Sequence, residues 1–376
     1  MHELMDALKT KAFALGFNMV GVIPAEPAKR LDAYLRWIEQ EQQGEMAYMA
    51  RADRVARRQD LNVILPGVRT IVCVGLDYYT RPIPPAIARD PSRGRISNYA
   101  WATDYHDVMT PRLQELAQWL RAQSPEEEEV QSRVYVDTGA ILERDHAETA
   151  GLGFIGKNTM LIGPRRGSWF FLGELLTTLP LIYEAPPPMP TCGQCTRCLT
   201  ACPTSAFPNP YVLDANRCIS YLTIELKGWI PRDLRPMIGN WIYGCDICQE
   251  VCPFNRFAPQ TRESVFFADD WDVAAPPLLA LLTLDETGFQ KRFAHSPIHR
   301  IKRRRLVRNA CVAAGNWGSQ TAVSPLTRLL ADEEPLIRGH AAWALHQIGT
   351  MTAKAAVSQA LLHEQNEQVR QEMVIP

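Results

Sequence analysis

No stretch of this 376-residue chain approaches the length of a membrane span. Its first residues, MHELMDALKTKAFALGF, mix acids with lysines over a broken apolar pattern, unlike the basic-then-apolar layout of a signal peptide. A twin-arginine leader is lacking too, so no membrane association and a cytoplasmic location are the expectations. Excess charge is also missing: 40 Lys and Arg against 41 Asp and Glu leave a formal net charge of −1. That excludes a globally basic nucleic-acid binder and leaves only local patches, of which HRIKRRRLVR (299–308) is one. A nicotinamide fingerprint in working context is absent. GLGFIG (151–156) has the G-x-G-x-x-G spacing, but helical ILERDHAETA precedes it and strand-like TMLIG follows, the reverse of what dinucleotide binding needs. A flavin has no clear signature. The Asp-x-His-x-x-Gly pattern of a histidine-ligated cobalamin fails in DYHDVM (104–109), where Met109 replaces the glycine. His106 is therefore read as an ordinary hydrogen-bonded histidine.

Cysteine, by contrast, is plentiful. Ten thiols in a chain expected to face reducing conditions point to metal and not to disulfides. Eight fall between Cys192 and Cys252; Cys73 and Cys311 sit in apolar contexts and read as small core residues.

The chain divides into three stretches. Residues 1–182 read as mixed α/β, with buried strands at RTIVCVGLDYY (69–79) and SRVYVDTG (132–139) and a helix entered through Thr-Pro in TPRLQELAQWLRAQ (110–123). The acidic run Glu126–Glu129 reads as a solvated loop. The proline-rich YEAPPPMP (183–190) marks a boundary before a cysteine-bearing unit that extends to residue 258. Beyond it, over 259–376, LVRNA (306–310), LIRGH (336–340) and QVRQE (368–372) recur at spacings of 30 and 32, which predicts stacked helix pairs of the HEAT type.

The cysteines fall into Cys192-x2-Cys195-x2-Cys198-x3-Cys202-Pro203 and Cys218 followed by Cys245-x2-Cys248-x3-Cys252-Pro253. Two structural zincs would also use eight ligands, so the count alone does not decide. The spacing favours two [4Fe–4S] clusters: three thiolates two residues apart cap one cluster, and the fourth, before proline, reaches the neighbouring one. Cys192, Cys195, Cys198 and Cys252 are assigned to one cluster; Cys218, Cys245, Cys248 and Cys202 to the other. Residues 219–244 form an insertion between the first two ligands of the second group. Asp137 ends the apolar strand VYVD just before Thr138-Gly139. An acid at a strand end can serve as a proton donor, and equally it can cap a following helix.

VDTGAILERDHAETAGLGFIGKN (136–158), the order of the eight cysteines, and RCISYLTIELKGWIP with LRPMIGNWIYGCDICQEVCPFN resemble the epoxyqueuosine reductase family from about residue 10 to the end. The resemblance implies an α/β cobalamin-binding domain, a ferredoxin-like domain with two [4Fe–4S] clusters and a C-terminal α-helical HEAT-like repeat. It implies reduction of epoxyqueuosine to queuosine at the wobble position of tRNAs for Tyr, His, Asp and Asn. Two electrons would arrive through the clusters and a base-off cobalamin reduced to cob(I), with Asp137 as proton donor. The insertion would contribute to the active site. Arg57, Tyr99, Lys157, Asn158, Ser168, Ser220 and Tyr243 are the candidate cobalamin contacts. For tRNA, Arg300, Lys302, Arg303, Arg304, Arg305 and Arg308 are expected on phosphates, with Lys227 and Arg232 near the anticodon loop. A small redox protein is the expected donor and a monomer the expected state. The rivals are a reductive-dehalogenase-like cobalamin enzyme, a ferredoxin-type electron carrier without chemistry of its own, and a zinc-dependent tRNA-binding module.

Overall fold

The structure is a computed structural model that describes residues 2–123, 129–183, 185–186, 188–268 and 270–374. Most of the acidic run at 126–129 and two residues of the proline-rich linker, Glu184 and Pro187, lie outside the described residues.

Four strands build the main sheet: β1 (Met19–Pro24), β2 (Thr70–Asp77), β3 (Ser132–Tyr135) and β4 (Phe170–Thr177), in the order β1-β2-β4-β3. Every neighbouring pair is antiparallel. All eight residues of β2 are buried, so its near-continuous apolar run reflects cover on both faces. Alternation divides that cover. Val72, Val74 and Leu76 face Leu8, Met109, Leu113 and Leu116, from the helices His2–Ala14 and Tyr105–Arg121. Ile71 and Cys73 face Leu61, Ile141, Ala147 and Leu152 on the other side.

Two local expectations shift. The helix expected to open at Thr110-Pro111 begins at Tyr105, because the Asp104 side chain accepts the His106 amide and caps it there. Pro111 therefore lies inside the helix. The strand expected over 132–139 stops at Tyr135, and Asp137 takes a left-handed backbone conformation, with φ of 60°.

The cysteine unit packs two short helices, Arg197–Ala201 and Ile247–Glu250, against each other. Its insertion carries the helix Ile219–Ile224 and the strand Trp241–Tyr243, which pairs in parallel with Arg95–Ile96. The repeats follow as Lys302–Trp317, Pro335–Ile348 and Glu367–Val374, with Val323–Leu329 and Met351–Leu361 between them. Gly318 and Gly349 close the first two in left-handed caps. One continuous core unites the insertion with the repeats, running through Ile219, Leu222, Ile230 and Tyr243 to Leu306, Ala310, Ile337 and Val369. Cys73 and Cys311 are both buried among apolar neighbours, at 1% and 0% exposure.

Candidate active site

The cysteines of the first group meet one from the second. Cys192, Cys195 and Cys198 line one small pocket with Cys252, closed by Ile162 and Phe254. Around the second frame, burial pushes the Cys248 thiol well up, with Cys218, Asp246, Cys198 and Cys202 close enough to add to it. Burial raises the Cys218 thiol too, the backbone amides of Tyr221 and Ser220 oppose this, and Cys202 adds to the rise. Buried thiols crowded in this way resist ionisation until a metal compensates the charge. Backbone amides already point at the sulfurs: Lys157 N donates to Cys192 Sγ at 3.4 Å and Ala206 N to Cys202 Sγ at 3.3 Å. Among the described residues no three His, Cys, Asp or Glu side chains form a site for a single metal ion.

Asp137 stands on the loop after β3, exposed, and three contacts hold it. Tyr105 Oη donates to Asp137 Oδ2 at 2.8 Å, the Asp137 amide donates to Glu143 Oε1 at 2.8 Å, and Arg54 Nη1 donates to Thr138 O at 3.1 Å. The two last contacts secure a backbone that a non-glycine residue rarely adopts. Tyr105 is itself fixed, stacked on Phe171 with centroids 4.2 Å apart and an interplanar angle of 12°. Tyr99 stands edge-on to it at 6.2 Å and lies 6.0 Å from Tyr243. Burial pushes the Tyr105 phenol up, and Asp137 adds to that. Arg300 lies over the Tyr105 ring at 5.7 Å and pairs with Asp104. Burial would raise the Asp104 carboxyl, but His106 and Arg300 hold it down at about 2. Glu225, from the insertion, is also in the field of Asp137; burial raises its carboxyl, Arg305 opposes this and Asp137 adds to it.

The candidate cofactor residues separate into groups. Tyr99 and Tyr243 form the aromatic wall beside Asp137. Ser220 lies half-buried in the helix Ile219–Ile224, and Arg57 half-buried on the helix Ala52–Gln59. Lys157, Asn158 and Ser168 instead serve the cysteine unit. Lys157 Nζ donates to Gly193 O at 2.7 Å, Asn158 Nδ2 to Cys248 O at 3.3 Å, and buried Ser168 Oγ accepts from Gln249 and Asn255. Their polar groups are spent there.

The basic run requires a correction. Arg308 is 0% exposed, and its guanidinium donates to Leu222 O, Leu226 O and Gly228 O at 2.7–2.8 Å. It is not a phosphate ligand but a brace between the first repeat and the insertion. Arg338 and Arg370, at the matching positions of LIRGH and QVRQE, also donate to backbone carbonyls, of Asp332 and Leu361. Arg303 pairs with Asp332 at 2.6 Å, and Arg305 donates to Ile224 O and Ile301 O. Arg232 pairs with Glu372 at 3.2 Å. Lys302 and Lys227 are exposed, Arg304 has only a loose 3.9 Å approach to Glu334, and Arg300 faces the active site.

Sequence reasoning missed Tyr105, Arg54, Glu143 and Glu225. Tyr105 lay inside DYHDVM, a stretch inspected for its histidine. Tyr105 and Asp137 are 32 residues apart, so no local pattern links them.

A cluster-bearing unit beside a held acid, carried on a helical repeat, defines an iron–sulfur oxidoreductase. Three family models match: "4Fe-4S double cluster binding domain" over residues 191–255, "Epoxyqueuosine reductase QueG, DUF1730" over 58–138 and "HEAT repeats" over 303–375. The chain is 39% identical to the epoxyqueuosine reductase of Salmonella typhimurium, over 92% of this chain and 89% of that one. To that of Xanthomonas campestris it is 42% identical, over 91% and 95%. The structure of the Bacillus subtilis epoxyqueuosine reductase, with its catalytic aspartate loop swung out of the active site, superposes with a TM-score of 0.87, at 32% identity over 99% and 98%. A crystal structure of epoxyqueuosine reductase with an epoxyqueuosine-modified tRNA-Tyr stem loop superposes with a TM-score of 0.88, at 33% identity over 99% and 97%. The chain belongs to the epoxyqueuosine reductase family. Among the described residues no helix is long and apolar enough to cross a membrane.

Proposed function

We propose that this chain reduces epoxyqueuosine to queuosine at the wobble position of tRNA. The observation that carries the reading is near-full-length similarity to epoxyqueuosine reductases, one of them solved with the modified stem loop, in a chain that holds an acid beside a double-cluster unit. The reaction takes two electrons and two protons, breaks both epoxide C–O bonds, forms the ring C=C and releases water. A small redox protein supplies the electrons.

Cobalamin, bound base-off, is the cofactor we assign to the cleft, and the residues fit it. Asn98 Oδ1 is buried without a partner next to Tyr99 in the chain, an acceptor for the amide groups that fringe a corrin. His106 Nδ1 lies 2.9 Å from Asp104 Oδ1 and takes a donor from Arg300, while its Nε2 is buried without a hydrogen-bond partner. Arg57, Tyr99, Ser220 and Tyr243 would hold the group. Filled, the cysteine frames supply electrons singly and cobalamin supplies a strongly reducing cobalt centre.

The chain's own residues do the rest. Asp137 gives a proton to the departing oxygen, which would otherwise leave as a poorly solvated anion. Tyr105 binds Oδ2 of Asp137 and so leaves Oδ1 to face the substrate. Tyr99, Tyr105 and Tyr243 exclude water from the inner wall. Lys302, Arg304 and Lys227 hold phosphates, and the wobble nucleotide is splayed from its stack to reach the cleft. The enzyme acts as a cytoplasmic monomer on tRNAs for Tyr, His, Asp and Asn.

The test is anaerobic conversion of an epoxyqueuosine stem loop, followed by mass analysis of nucleosides. Wild type should yield queuosine, and Asp137→Asn should keep its iron yet lose turnover. Near-normal conversion by Asp137→Asn would remove that residue from the mechanism.

A further inference from the structure

The cysteines of the chain do not all lie at one depth. Between Cys192, Cys195 and Cys198, the residues Gly193, Gln194, Thr196 and Arg197 are all exposed. Beside Cys245 and Cys248, in contrast, Asp246 and Gln249 are buried, at 4% and 6% exposure. Cys245 also follows closely on Tyr243, which stands 6.0 Å from Tyr99 in the aromatic wall of the cleft. The pocket of Cys192, Cys195, Cys198 and Cys252 is thus the outer one. Electron transfer weakens steeply with distance, so a protein donor has to dock where that pocket meets the surface.

Three stretches build this surface. Residues 151–173 give Asn158 and Ile162 to the pocket, 191–213 give Arg197, and 251–262 give Pro253 and Phe254. None of the three contains an Asp or Glu, in a chain that has 41 of them. Cations remain. Arg197 and Arg256 are exposed, and so is Arg165, on the turn between Gly163 and Gly167. That turn abuts the residue before Arg256: Asn255 Oδ1 accepts the Ser168 amide at 2.6 Å, and a β-carbon on Gly167 would stand 2.9 Å from Asn255 Cα. Lys157 Nζ donates to the neutral Gly193 carbonyl at 2.7 Å. Among the described residues none of these four cations has an ion pair. Glu250, the acid nearest Cys252 in sequence, is turned to Arg95 at 2.5 Å.

Two aromatic side chains complete the face. Tyr211 is 50% exposed, and its amide donates to Lys157 O at 3.0 Å. Phe257 is 48% exposed, with the Arg256 guanidinium 4.5 Å from its ring. Exposed aromatics ringed by unpaired arginines suit a small, transient protein contact. The unopposed positive charge selects a negative partner and speeds its approach. RNA would also answer to that charge, but an RNA brings no electron to the pocket at the centre of the face.

We propose that the face around Cys192, Cys195, Cys198 and Cys252 is the docking surface of the electron donor, and that the donor is an acidic protein carrying one electron at a time. This rests on the reading of the function given above. At each docking the donor is oxidised by one electron and the outer centre reduced by one, twice per turnover, and no proton moves at this face.

The test uses anaerobic holoenzyme with reduced flavodoxin as the probe, an acidic FMN protein whose anionic hydroquinone becomes a blue semiquinone on losing one electron. In wild type the second-order rate of semiquinone formation should fall about tenfold between low and physiological salt. That measurement needs no variant to fold, and a rate that is flat or rises with salt would overturn the proposal. Arg165→Glu with Arg256→Glu, neither of which lines the cysteine pocket, should slow the reaction roughly tenfold at low salt and weaken binding of oxidised flavodoxin in parallel. Arg165→Lys with Arg256→Lys should keep both near wild type. Iron content should not change, nor reduction by photoexcited 5-deazariboflavin, a small uncharged reductant that needs no docking face. Wild-type rates with flavodoxin after charge reversal, or an equal loss with deazariboflavin, would overturn the assignment. Loss of stem-loop affinity with flavodoxin binding unchanged would overturn it too, and give the face to RNA. Wild type that takes electrons from flavodoxin in this salt-dependent way yet converts no epoxyqueuosine would strike the function and leave the docking face standing.

Discussion

Replacing Tyr105 by Phe removes one oxygen and leaves the ring stacked on Phe171, so no cavity forms. What disappears is the 2.8 Å hydrogen bond to Asp137 Oδ2. A hydrogen bond to a charged group contributes about 1.5–3 kcal/mol, and Asp137 is open to water that can replace the phenol, so the low end applies. About 1.5 kcal/mol in aim of the acid corresponds to roughly a tenfold fall in kcat. KM for the stem loop should not move, because Tyr105 is buried beneath the aromatic wall. The backbone of the loop keeps its two other contacts, to Glu143 and Arg54. The Asp137 amide should therefore exchange with deuterium as slowly as in wild type. Single-turnover conversion followed by mass analysis measures the first effect and hydrogen exchange the second. A kcat within about twofold of wild type would refute the positioning role. A loss of kcat with fast exchange at 137–139 would mean that the loop has left, and that Tyr105 only latches it.

Arg308→Ala should lower stability by on the order of 3–5 kcal/mol, since three buried carbonyls lose their donor, and leave the stem-loop affinity of the folded protein intact; an unchanged urea midpoint would contradict the brace. Lys302→Ala with Arg304→Ala should instead spare stability and reduce the slope of log K against log salt by about 0.7–0.9 for each phosphate no longer neutralised, and a slope equal to wild type would return both to the solvated surface. If its thiol completes the frame of Cys218, Cys245 and Cys248, as the spacing predicts, Cys202→Ala should lose about half of the bound iron; full iron content would break that grouping. Asp104 is held at about 2 in the fold against an ordinary 3.8, so its contribution to stability is complete above about pH 4 and disappears as pH falls through about 2. Asp104→Asn should flatten acid unfolding in that window, and an unaltered profile would show that the Arg300–Asp104 pair does not hold the fold.

The parts that could be read in advance are those with a local code. Cysteine spacing is local: the Cys-Pro endings of both groups predict a crossover, and Cys252 does lie with Cys192, Cys195 and Cys198. The repeat was legible from Arg308, Arg338 and Arg370, and that same alignment held the means to avoid one misreading. An arginine that recurs with the period of a helical repeat is braced against the turns around it, whereas a phosphate ligand has no reason to keep that period. The run HRIKRRRLVR was read by charge alone, and charge does not say which side of the helix Lys302–Trp317 faces its neighbours. The hold on Asp137 was illegible for a different reason: Tyr105, Glu143 and Arg54 meet it only after β3 ends and the chain turns through a left-handed residue. The antiparallel order of the sheet was equally a property of pairings between distant segments.

The insertion begins at Cys218 and ends at Cys245, both anchored to one cluster frame, and its middle is sealed into the core of the repeats. Seen mechanically, it is a strut pinned at both ends beside the cysteine unit and in its middle to the helical repeats. Arg235, paired with Glu372 at 2.6 Å, extends that strut to the last helix of the chain. The repeats are therefore not a detachable handle: cutting the chain before Lys302 would strip the cover from Tyr243 and Leu222 and loosen Cys218 and Cys245. Transplanting the repeats onto another reductase would have to carry the strut, and two cysteines, with it.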